Sequence, residues 1–234
     1  MKLLGIIPAR SGSKGIKDKN IRNLNGVPLM AYTIKAALNS KAFDNIMVST
    51  DSERYVDIAL EYGAEVPFLR TPQTATDEAA TRDVIIEVLQ MYEKVGKKFD
   101  AFMILQPTSP LRTAANICES ISLYERKHAK AIISVCEVEH SPLWSNVLPK
   151  NRSLEGFIKV GENSPRQQLE TFYRINGAIY LYDTNFYLKH KNTYCNGSYA
   201  YIMKRENSID IDTELDFKMA EYLLDFLKED NLHE

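Results

Sequence analysis

Cationic and small residues gather directly after the first apolar run of the chain. Residues 8–20 read PARSGSKGIKDKN and follow the apolar residues 3–7. Glycine lets backbone N–H groups approach an anion closely, and side chains such as Arg10 and Lys19 neutralise its charge. The stretch therefore predicts either a phosphate-binding loop or a plain basic surface loop. Neither G-x-x-x-x-G-K-[ST] nor G-x-G-x-x-G is present to decide between them.

A pair of aspartates near the carboxyl end of the chain indicates a metal site. In SIDID (208–212), Asp210 and Asp212 alternate with isoleucines, so in a strand both carboxylates face one side. Carboxylates held together repel each other, and a divalent cation between them relieves the repulsion. Oxygen ligands and phosphates suit Mg²⁺. The alternative is that Asp212 caps the closing helix, which would explain only one of the two aspartates.

Two more polar stretches follow apolar runs. In STDSE (49–53), Asp51 is predicted to cap the helix that comes next, although a carboxylate at a strand end could also face a ligand. In LQPTSPLR (105–112), two prolines stiffen a turn after a buried run. The turn is interpreted either as a recognition loop or as a tight connection between strand and helix. As a recognition loop it would present four polar side chains: Gln106, Thr108, Ser109 and Arg112.

The stretch SPRQQ places donors in an irregular part of the chain. Arg166, with Gln167 and Gln168, precedes an Asn176–Gly177 pair that is predicted to turn into a strand. An arginine side chain suits two-pronged capture of a carboxylate. A surface ion pair is the alternative for Arg166.

Strands and helices alternate through the first half and would bring these stretches together. Uniformly apolar runs predict buried parallel strands at 3–7, 45–50, 101–106 and 131–136. Helical periodicity predicts helices at 28–40, 52–63, 79–96 and 116–127. This order predicts an α/β fold with a mostly parallel sheet and helices on both faces. Ligands of such sheets bind at the carboxyl ends of the strands.

The pattern changes near residue 138. Residues 138–175 are polar, punctuated by proline and glycine, and weakly periodic, which indicates an insertion that leaves the sheet. Apolar strands return at 177–183 and 199–204, and a helix is predicted at 213–229. No repeat or linker divides the chain, so residues 1–234 are predicted to form a single domain carrying this insertion.

Composition excludes several classes of protein. The 234 residues have a net charge of -2, so no overall field attracts nucleic acid or anionic lipid. The three cysteines are far apart, which argues against a disulfide framework or a zinc site. No run of 18 apolar residues predicts a membrane span, and the first apolar stretch is too short for a signal peptide. A cytoplasmic location is expected.

Taken in order, these stretches resemble the acylneuraminate cytidylyltransferase family, which makes CMP-sialic acids. The matching pieces are IPARSGSKGIKDKNI, STDSE, LQPTSPLR, PRQQ, NGAIY and SIDIDTELD. The resemblance implies a Rossmann-like nucleotide-diphospho-sugar transferase fold. It also implies that the insertion at 138–175 serves dimerisation, with active sites shared across a homodimer.

The resemblance implies a role for each candidate residue. The opening loop would bind the phosphates of CTP, and Asp210 and Asp212 would bind Mg²⁺; Arg10, Lys19, Asp210 and Asp212 would be catalytic. The nucleotide-binding residues would be Arg10, Ser11, Gly12, Ser13, Lys19, Asn20, Arg70 and Asp77. The sugar-binding residues would be Gln106, Arg166 and Tyr180.

The implied reaction joins a nonulosonic acid to CMP and releases pyrophosphate from CTP. Thr193–Tyr194 stands where neuraminate-specific relatives often carry two aromatics, so legionaminic acid or another bacterial nonulosonate is an equal alternative, and GTP is an alternative to CTP. A deoxyoctulosonate enzyme and a non-catalytic nucleotide-binding relative are further alternatives. PRQQ, SIDIDTELD and the intact aspartate pair count against them.

Overall fold

A computed structural model describes residues 1–13, 15–158 and 169–230. Its centre is a six-stranded sheet with the strand order β4-β1-β5-β7-β6-β8. A two-stranded ribbon of β2 and β3 lies apart from it. The strands are β1 (Leu3–Pro8), β2 (Asn23–Leu24), β3 (Val27–Pro28), β4 (Asn45–Ser49), β5 (Ala101–Ile104), β6 (Ala131–Glu137), β7 (Tyr173–Asp183) and β8 (Ser198–Ile202).

Five of the six strands in the sheet run in the same direction. β1 pairs in parallel with β4 and β5, and β6 pairs in parallel with β8. Only β7 is reversed, because it pairs antiparallel with both β5 and β6. The prediction of a mostly parallel α/β sheet is confirmed. The carboxyl ends of the five parallel strands therefore meet at one edge.

β7 begins earlier than predicted. It starts at Tyr173, so Asn176 and Gly177 lie inside the strand and do not turn into it. The pairing of β6 with β7 shifts register between Ile133 and Val135, opposite this point. Gly177 has a φ of 78°, a conformation that glycine adopts without strain. The Asn–Gly pair thus marks an irregularity within a strand, which the two residues alone do not distinguish from a turn.

The described residues form six α-helices. They are α1 (Leu29–Ser40), α2 (Glu53–Glu61), α3 (Thr81–Lys94), α4 (Ala114–Lys127), α5 (Thr184–Lys189) and α6 (Glu214–Asp230). Five of them match the predicted helices. α5 was not predicted, since six residues are too few to show a helical period. Among the described residues, no helix combines the length and the apolar character that crossing a membrane requires.

The apolar side chains of β1 point alternately to the two faces of the sheet, as the strand period requires. Leu3 and Ile7 join a core cluster with α1, α2 and α4. Leu4 and Ile6 join a second cluster with α3 and α5 on the other face. A third cluster packs α6 against the start of α1 and contains Ile211. The prediction of helices on both faces is confirmed.

The predicted insertion at 138–175 leaves the sheet and returns to it. Of its described residues, 138–158 and 169–172 contribute no strand and form one 3-10 turn, Pro142–Trp144, whereas residues 173–175 already belong to β7. Its two ends meet where the N–H of Val138 donates to the carbonyl of Phe172 at 3.0 Å. Its assignment as a dimerisation subdomain stays a prediction.

Candidate active site

A cavity of about 480 Å³ opens at the carboxyl edge of the parallel strands. It lies where the loops after β1 and β5 meet the segment before α6. The larger part of the predicted site residues line it: Arg10, Ser13, Lys19, Asn20, Arg70, Asp77, Gln106, Asp210 and Asp212. Residues from four separate stretches, more than 200 positions apart at the extremes, therefore share one space.

Asp51 is held by the opening loop and does not cap α2. The cap position belongs to Ser52, whose side chain makes no capping hydrogen bond. The Asp51 carboxylate instead accepts hydrogen bonds from the N–H and the hydroxyl of Ser11, both at 2.7 Å. Burial alone would raise the pKa of Asp51, but the Ser11 hydrogen bonds hold that pKa below its ordinary value. The capping prediction for Asp51 was wrong, because the competing donor comes from a loop 40 residues away.

We expect Asp51→Ala to loosen the opening loop. Without the carboxylate, two part-buried donors of Ser11 lose their acceptors, and the free energy of unfolding should fall by about 1–2 kcal/mol. Hydrogen exchange at residues 11–13 should become faster. Asp44→Ala is the matched control, because the Asp44 carboxylate accepts from the N–H of Leu3 at 2.7 Å at the other end of β1. Equal exchange at residues 11–13 in both variants would contradict the role of Asp51.

The opening loop places Arg10 at the mouth of the cavity. Its guanidinium forms an ion pair with Asp77 at 2.5 Å, and its backbone carbonyl accepts from the side chain of Asn20 at 3.0 Å. Ser11 and Gly12 are not among the residues lining the cavity, since Ser11 is turned toward Asp51. Of the predicted nucleotide-binding loop, Arg10, Ser13, Lys19 and Asn20 reach the cavity.

Lys19 ties this loop to the aspartate pair. Its ammonium group donates to the carbonyl of Ile211 at 2.6 Å and to Asp212 Oδ1 at 3.1 Å. Gly15 lies beside the same segment, where an added Cβ would stand 2.6 Å from the carbonyl oxygen of Asp212. The loop and the aspartates are thus held against each other by direct contacts.

The two aspartates line the cavity from a segment that is not a strand of the sheet. The N–H of Ile211 donates to the carbonyl of Thr108 at 2.9 Å and fixes the segment there. Ile211 is fully buried while both aspartates face the cavity, so the predicted alternation of sides is present. The alternative that Asp212 caps α6 was wrong: the hydroxyl of Thr213 accepts from the N–H of Asp216, and Asp216 accepts from the N–H of Thr213.

Asp210 has the features of a metal ligand. Burial, and the nearby charge of Asp212, raise its pKa, while a hydrogen bond from Thr108 acts in the opposite sense. Its Oδ1 atom is buried without a hydrogen-bond partner. An orphaned carboxylate oxygen beside a second carboxylate suits a hard cation, and Mg²⁺ sites often use one or two carboxylates with substrate phosphates. The donors present therefore fit Mg²⁺. The described residues contain no cluster of three or more His, Cys, Asp or Glu suited to a metal.

Arg70 also lines the larger cavity. Its Nε donates to the hydroxyl of Ser49 at 2.9 Å, at the end of β4. Burial lowers the pKa of Arg70 to about 10, opposed by the charges of Asp51 and Glu87. Glu87 of α3 also accepts hydrogen bonds from the Thr71 N–H and the Thr74 hydroxyl. The segment that carries Arg70 and Asp77 is thereby anchored to α3.

A smaller cavity of about 240 Å³ adjoins the first, and Gln106 and Thr81 line both. Tyr180, a predicted sugar contact, lines the smaller one, and burial raises the pKa of its phenol. Gly177 lies behind Gln106: an added Cβ would stand 2.6 Å from Gln106 Oε1 and 3.5 Å from Asp210 Oδ2. The amide of Gln106 therefore occupies space that only glycine leaves free.

Two polar residues of the 105–112 turn do not face a ligand. Ser109 is fully buried and Arg112 is 2% exposed. Arg112 donates to the carbonyls of Ala178 at 2.9 Å and Gln106 at 3.2 Å, and burial lowers its pKa to about 9. The prediction that this turn presents Ser109 and Arg112 was wrong, because the guanidinium points inward and braces β7 against the turn. Gln106 and Thr108 do line the larger cavity.

Several lining residues were missed by the sequence reasoning, and one predicted residue cannot be placed. The residues missed are Thr81, Arg82, Tyr182, Tyr187, Lys191 and Thr193 of the smaller cavity. Only Thr193 lies in a segment singled out beforehand. Thr81, Arg82 and Tyr182 belong to ordinary helix and strand patterns, and Tyr187 and Lys191 lie in and after the short helix α5, so none of them carries a local signal of a site. Arg166, Gln167 and Gln168 lie outside the described residues.

Comparisons with known proteins show which families and folds the chain resembles. The profile of a protein family described as "Cytidylyltransferase" matches residues 4–231. The chain is 39% identical to the N-acylneuraminate cytidylyltransferase of Streptococcus agalactiae serotype V over 93% of its own length and 52% of that protein. It therefore spans about half of this relative. It is 34% identical to the CMP-N,N'-diacetyllegionaminic acid synthase of Legionella pneumophila over 98% of its own length and 99% of that protein.

The fold is also similar to that of a solved structure, CMP:2-keto-3-deoxy-manno-octonic acid synthetase complexed with CTP. The TM-score is 0.72 over 96% of this chain and 98% of that one, with 14% sequence identity. At this identity the likeness concerns the fold alone.

Proposed function

The chain belongs to the cytidylyltransferase family, and on that premise we propose that it joins a nonulosonic acid to CMP. The anomeric hydroxyl oxygen of the sugar forms a bond to the α-phosphorus of CTP. The bond from that phosphorus to the bridging oxygen of pyrophosphate breaks, and the hydroxyl proton is released. The names of the streptococcal and Legionella relatives support sialic-type acids as the substrate class.

One observation carries the proposal. A cationic loop and a carboxylate pair line the same cavity, and Lys19 Nζ lies 3.1 Å from Asp212 Oδ1. A triphosphate needs cations along its oxygens, and transfer of its α-phosphoryl group requires that charge be stabilised on the departing pyrophosphate. The cations and the carboxylate pair meet at the carboxyl edge of the parallel strands, where ligands of such sheets bind.

Both cations of the site are paired with carboxylates, and a phosphate group would compete with these carboxylates. Arg10 is paired with Asp77, and Lys19 with Asp212. A triphosphate carries more negative charge than a single carboxylate, so it attracts the Arg10 guanidinium more strongly than Asp77 does. In the proposed reaction the triphosphate replaces Asp77 as the ion-pair partner of Arg10. Lys19 keeps its hydrogen bond to the Ile211 carbonyl and so stays aimed into the cavity.

Asp210 and Asp212 are the residues that would hold Mg²⁺. The bound ion would shield the phosphate charge against an approaching oxygen and lower the pKa of the attacking hydroxyl. Asp210 contributes an oxygen with no other partner, and Asp212 is joined to the loop that bears Lys19.

Gln106 and Tyr180 are proposed to contact the sugar. Tyr180 lies on β7 and pairs with Ile104, the last residue of β5, and Gln106 follows Ile104 by two residues. Both line the smaller cavity, and Gln106 also lines the larger one. This arrangement supports binding of the sugar in the smaller cavity with its reacting end directed at the phosphates. Arg166 is proposed to bind the sugar carboxylate from the partner subunit.

A homodimer is proposed with the insertion as its interface. Exposed apolar side chains support an interface in this region: Val147 is 87% exposed, Leu154 is 67% exposed, and Leu148 is also exposed. Tyr173 and Ile175 at the start of β7 are exposed as well. Apolar groups at this density on a small segment are typical of surfaces that another chain covers.

Mixing two inactive variants tests the shared site. In a dimer whose sites combine Asp212 of one subunit with Arg166 of the other, Asp212→Ala and Arg166→Ala each damage both sites. A heterodimer of the two variants has one intact site. After subunit exchange we expect about a quarter of wild-type turnover. No recovery in a sample whose heterodimers are verified by mass spectrometry would contradict the shared site, and a monomer in sedimentation would contradict the dimer.

A cytoplasmic location is proposed because CTP is made and used there. The cysteines Cys118, Cys136 and Cys195 are free, which suits a reducing compartment. Fractionation of the source cells tests the location.

Pyrophosphate release tests the reaction itself. We would cross CTP and GTP with N-acetylneuraminate, diacetyllegionaminate, pseudaminate and deoxyoctulosonate in the presence of Mg²⁺. Release with CTP and one nonulosonate is the expected result. Release with GTP alone would keep the reaction and change the base. Folded protein that binds CTP and stays inactive with every sugar would count against catalysis.

A further inference from the structure

Arg82, the second residue of α3, reaches across the smaller cavity to the end of α5. Its Nη2 donates to the carbonyl of Tyr187 at 2.7 Å and to that of Leu188 at 3.4 Å. Its Nη1 donates to the carbonyl of His190 at 3.0 Å. The guanidinium also lies over the Tyr187 ring, 4.7 Å from its centroid. One side chain thus donates to three backbone carbonyls within four residues at a helix terminus.

α5 needs such a partner. It has six residues, Thr184–Lys189, and a helix of this length is marginal on its own. The last carbonyls of any helix lack partners within it, and a cation at this end is favourable for the helix dipole. Arg82 supplies both the donors and the charge. The carboxyl end of α5 is therefore held in place from α3.

The residues that follow α5 form a wall of the smaller cavity. Lys191 and Thr193 line it together with Tyr187, whose carbonyl accepts from Arg82. The side chain of Thr193 is hydrogen-bonded to the phenol of Tyr182. Its carbonyl accepts a hydrogen bond from the hydroxyl of Ser198 at 2.6 Å. The far end of the wall is thus anchored by the sheet, and the near end is anchored by Arg82.

We propose that Arg82 is a positioning residue that holds this wall in the shape that binds the sugar. The inference rests on the proposed function. The wall that faces the sugar substituents then depends on a residue of α3. The first residue of the same helix, Thr81, lines both cavities. A wall that is already ordered lowers the entropy lost when the sugar binds.

Substitution of Arg82 is expected to separate sugar binding from chemistry. Arg82→Ala should raise the KM for the sugar about tenfold, because the wall must then be ordered by the substrate. The kcat should change less than about twofold and the KM for CTP should be unchanged, because the contacts to phosphate remain. Arg82→Lys should be intermediate, since one ammonium group cannot span the three carbonyls that a guanidinium fork reaches.

Hydrogen exchange gives a readout that is independent of turnover. Amides of residues 188–193 should exchange faster in Arg82→Ala than in the wild type, and the sugar should restore their protection. Asp44→Ala serves as the control for general destabilisation, since its contact with Leu3 lies away from both cavities. It should leave these amides and the sugar KM unchanged.

The outcomes separate this inference from the proposed function. An active wild type with an equal sugar KM in Arg82→Ala would overturn the inference alone. Equal shifts in Arg82→Ala and Asp44→Ala would also overturn it, because the effect would then be general. A wild type that turns over no sugar would overturn the proposed function and the sugar role of the wall together.

Discussion

Asp212→Ala is expected to lower kcat about a thousandfold while the protein stays folded. The side chain is largely exposed, and its ion pair with Lys19 is a surface contact worth little stability. Its proposed role is instead to hold Mg²⁺ with Asp210, and losing that charge stabilisation removes several kcal/mol from the transition state. Lys19 keeps its bond to the Ile211 carbonyl, so the opening loop should keep its place.

The measurement is the rate of pyrophosphate release as Mg²⁺ is increased, together with the thermal unfolding midpoint. Asp57→Ala is the control, because Asp57 is exposed on α2 and lines neither cavity. It should have wild-type kinetics. If Asp212→Ala stayed within about threefold of wild-type kcat at low Mg²⁺, the aspartate pair would not be the metal site.

Gly177→Ala is expected to raise the KM for the sugar at least about tenfold. The new Cβ would stand 2.6 Å from Gln106 Oε1, well inside contact distance, so the amide must leave the place where the two cavities join. A lost hydrogen bond to the substrate costs about one to two powers of ten in binding. Asp210 Oδ2, at 3.5 Å, is at an ordinary contact distance, so kcat should change less than the sugar KM.

A second glycine separates this contact from backbone strain. Gly96 has the same φ of 78°, and nothing lies within 4 Å of an added Cβ there. Both alanine variants should lose about 1–2 kcal/mol of stability, because alanine is strained at positive φ. Only Gly177→Ala should change the sugar KM. The same sugar KM in both variants would mean that Gln106 does not contact the sugar, and unequal losses of stability would reveal further strain at Gly177.

Much of the fold could be predicted because its signals are local. The apolar runs of β1, β4 and β5 and the helical periods of α1, α3 and α4 each depend on neighbouring residues. The rule that ligands bind at the carboxyl ends of parallel strands then joins loops that are distant in sequence. By this rule the loops that carry Arg10 and Gln106 are predicted at the same edge, whereas the rule does not place Asp210 there.

Other features depend on partners that no local pattern names. Asp51 has the sequence of a helix cap, yet it accepts from Ser11 because that loop folds back onto it. Arg112 has the sequence of an exposed turn cation, yet its Nη1 donates to the carbonyls of Ala178 and Gln106. In both cases the local sequence suggests one role for the side chain, and a hydrogen-bond partner far along the chain gives it another.

The sequence alone therefore determined the alternation of strands and helices and the strand-end location of the loops that carry Arg10 and Gln106, since both follow from the periods of the backbone. Only the tertiary structure decided that β7 runs reversed between β5 and β6, that Gly177 makes room for Gln106, and that Arg82 secures the end of α5. These features are contacts between segments about 40 to more than 100 residues apart. Such contacts depend on how the whole chain packs, and no spacing of residues in the sequence indicates them.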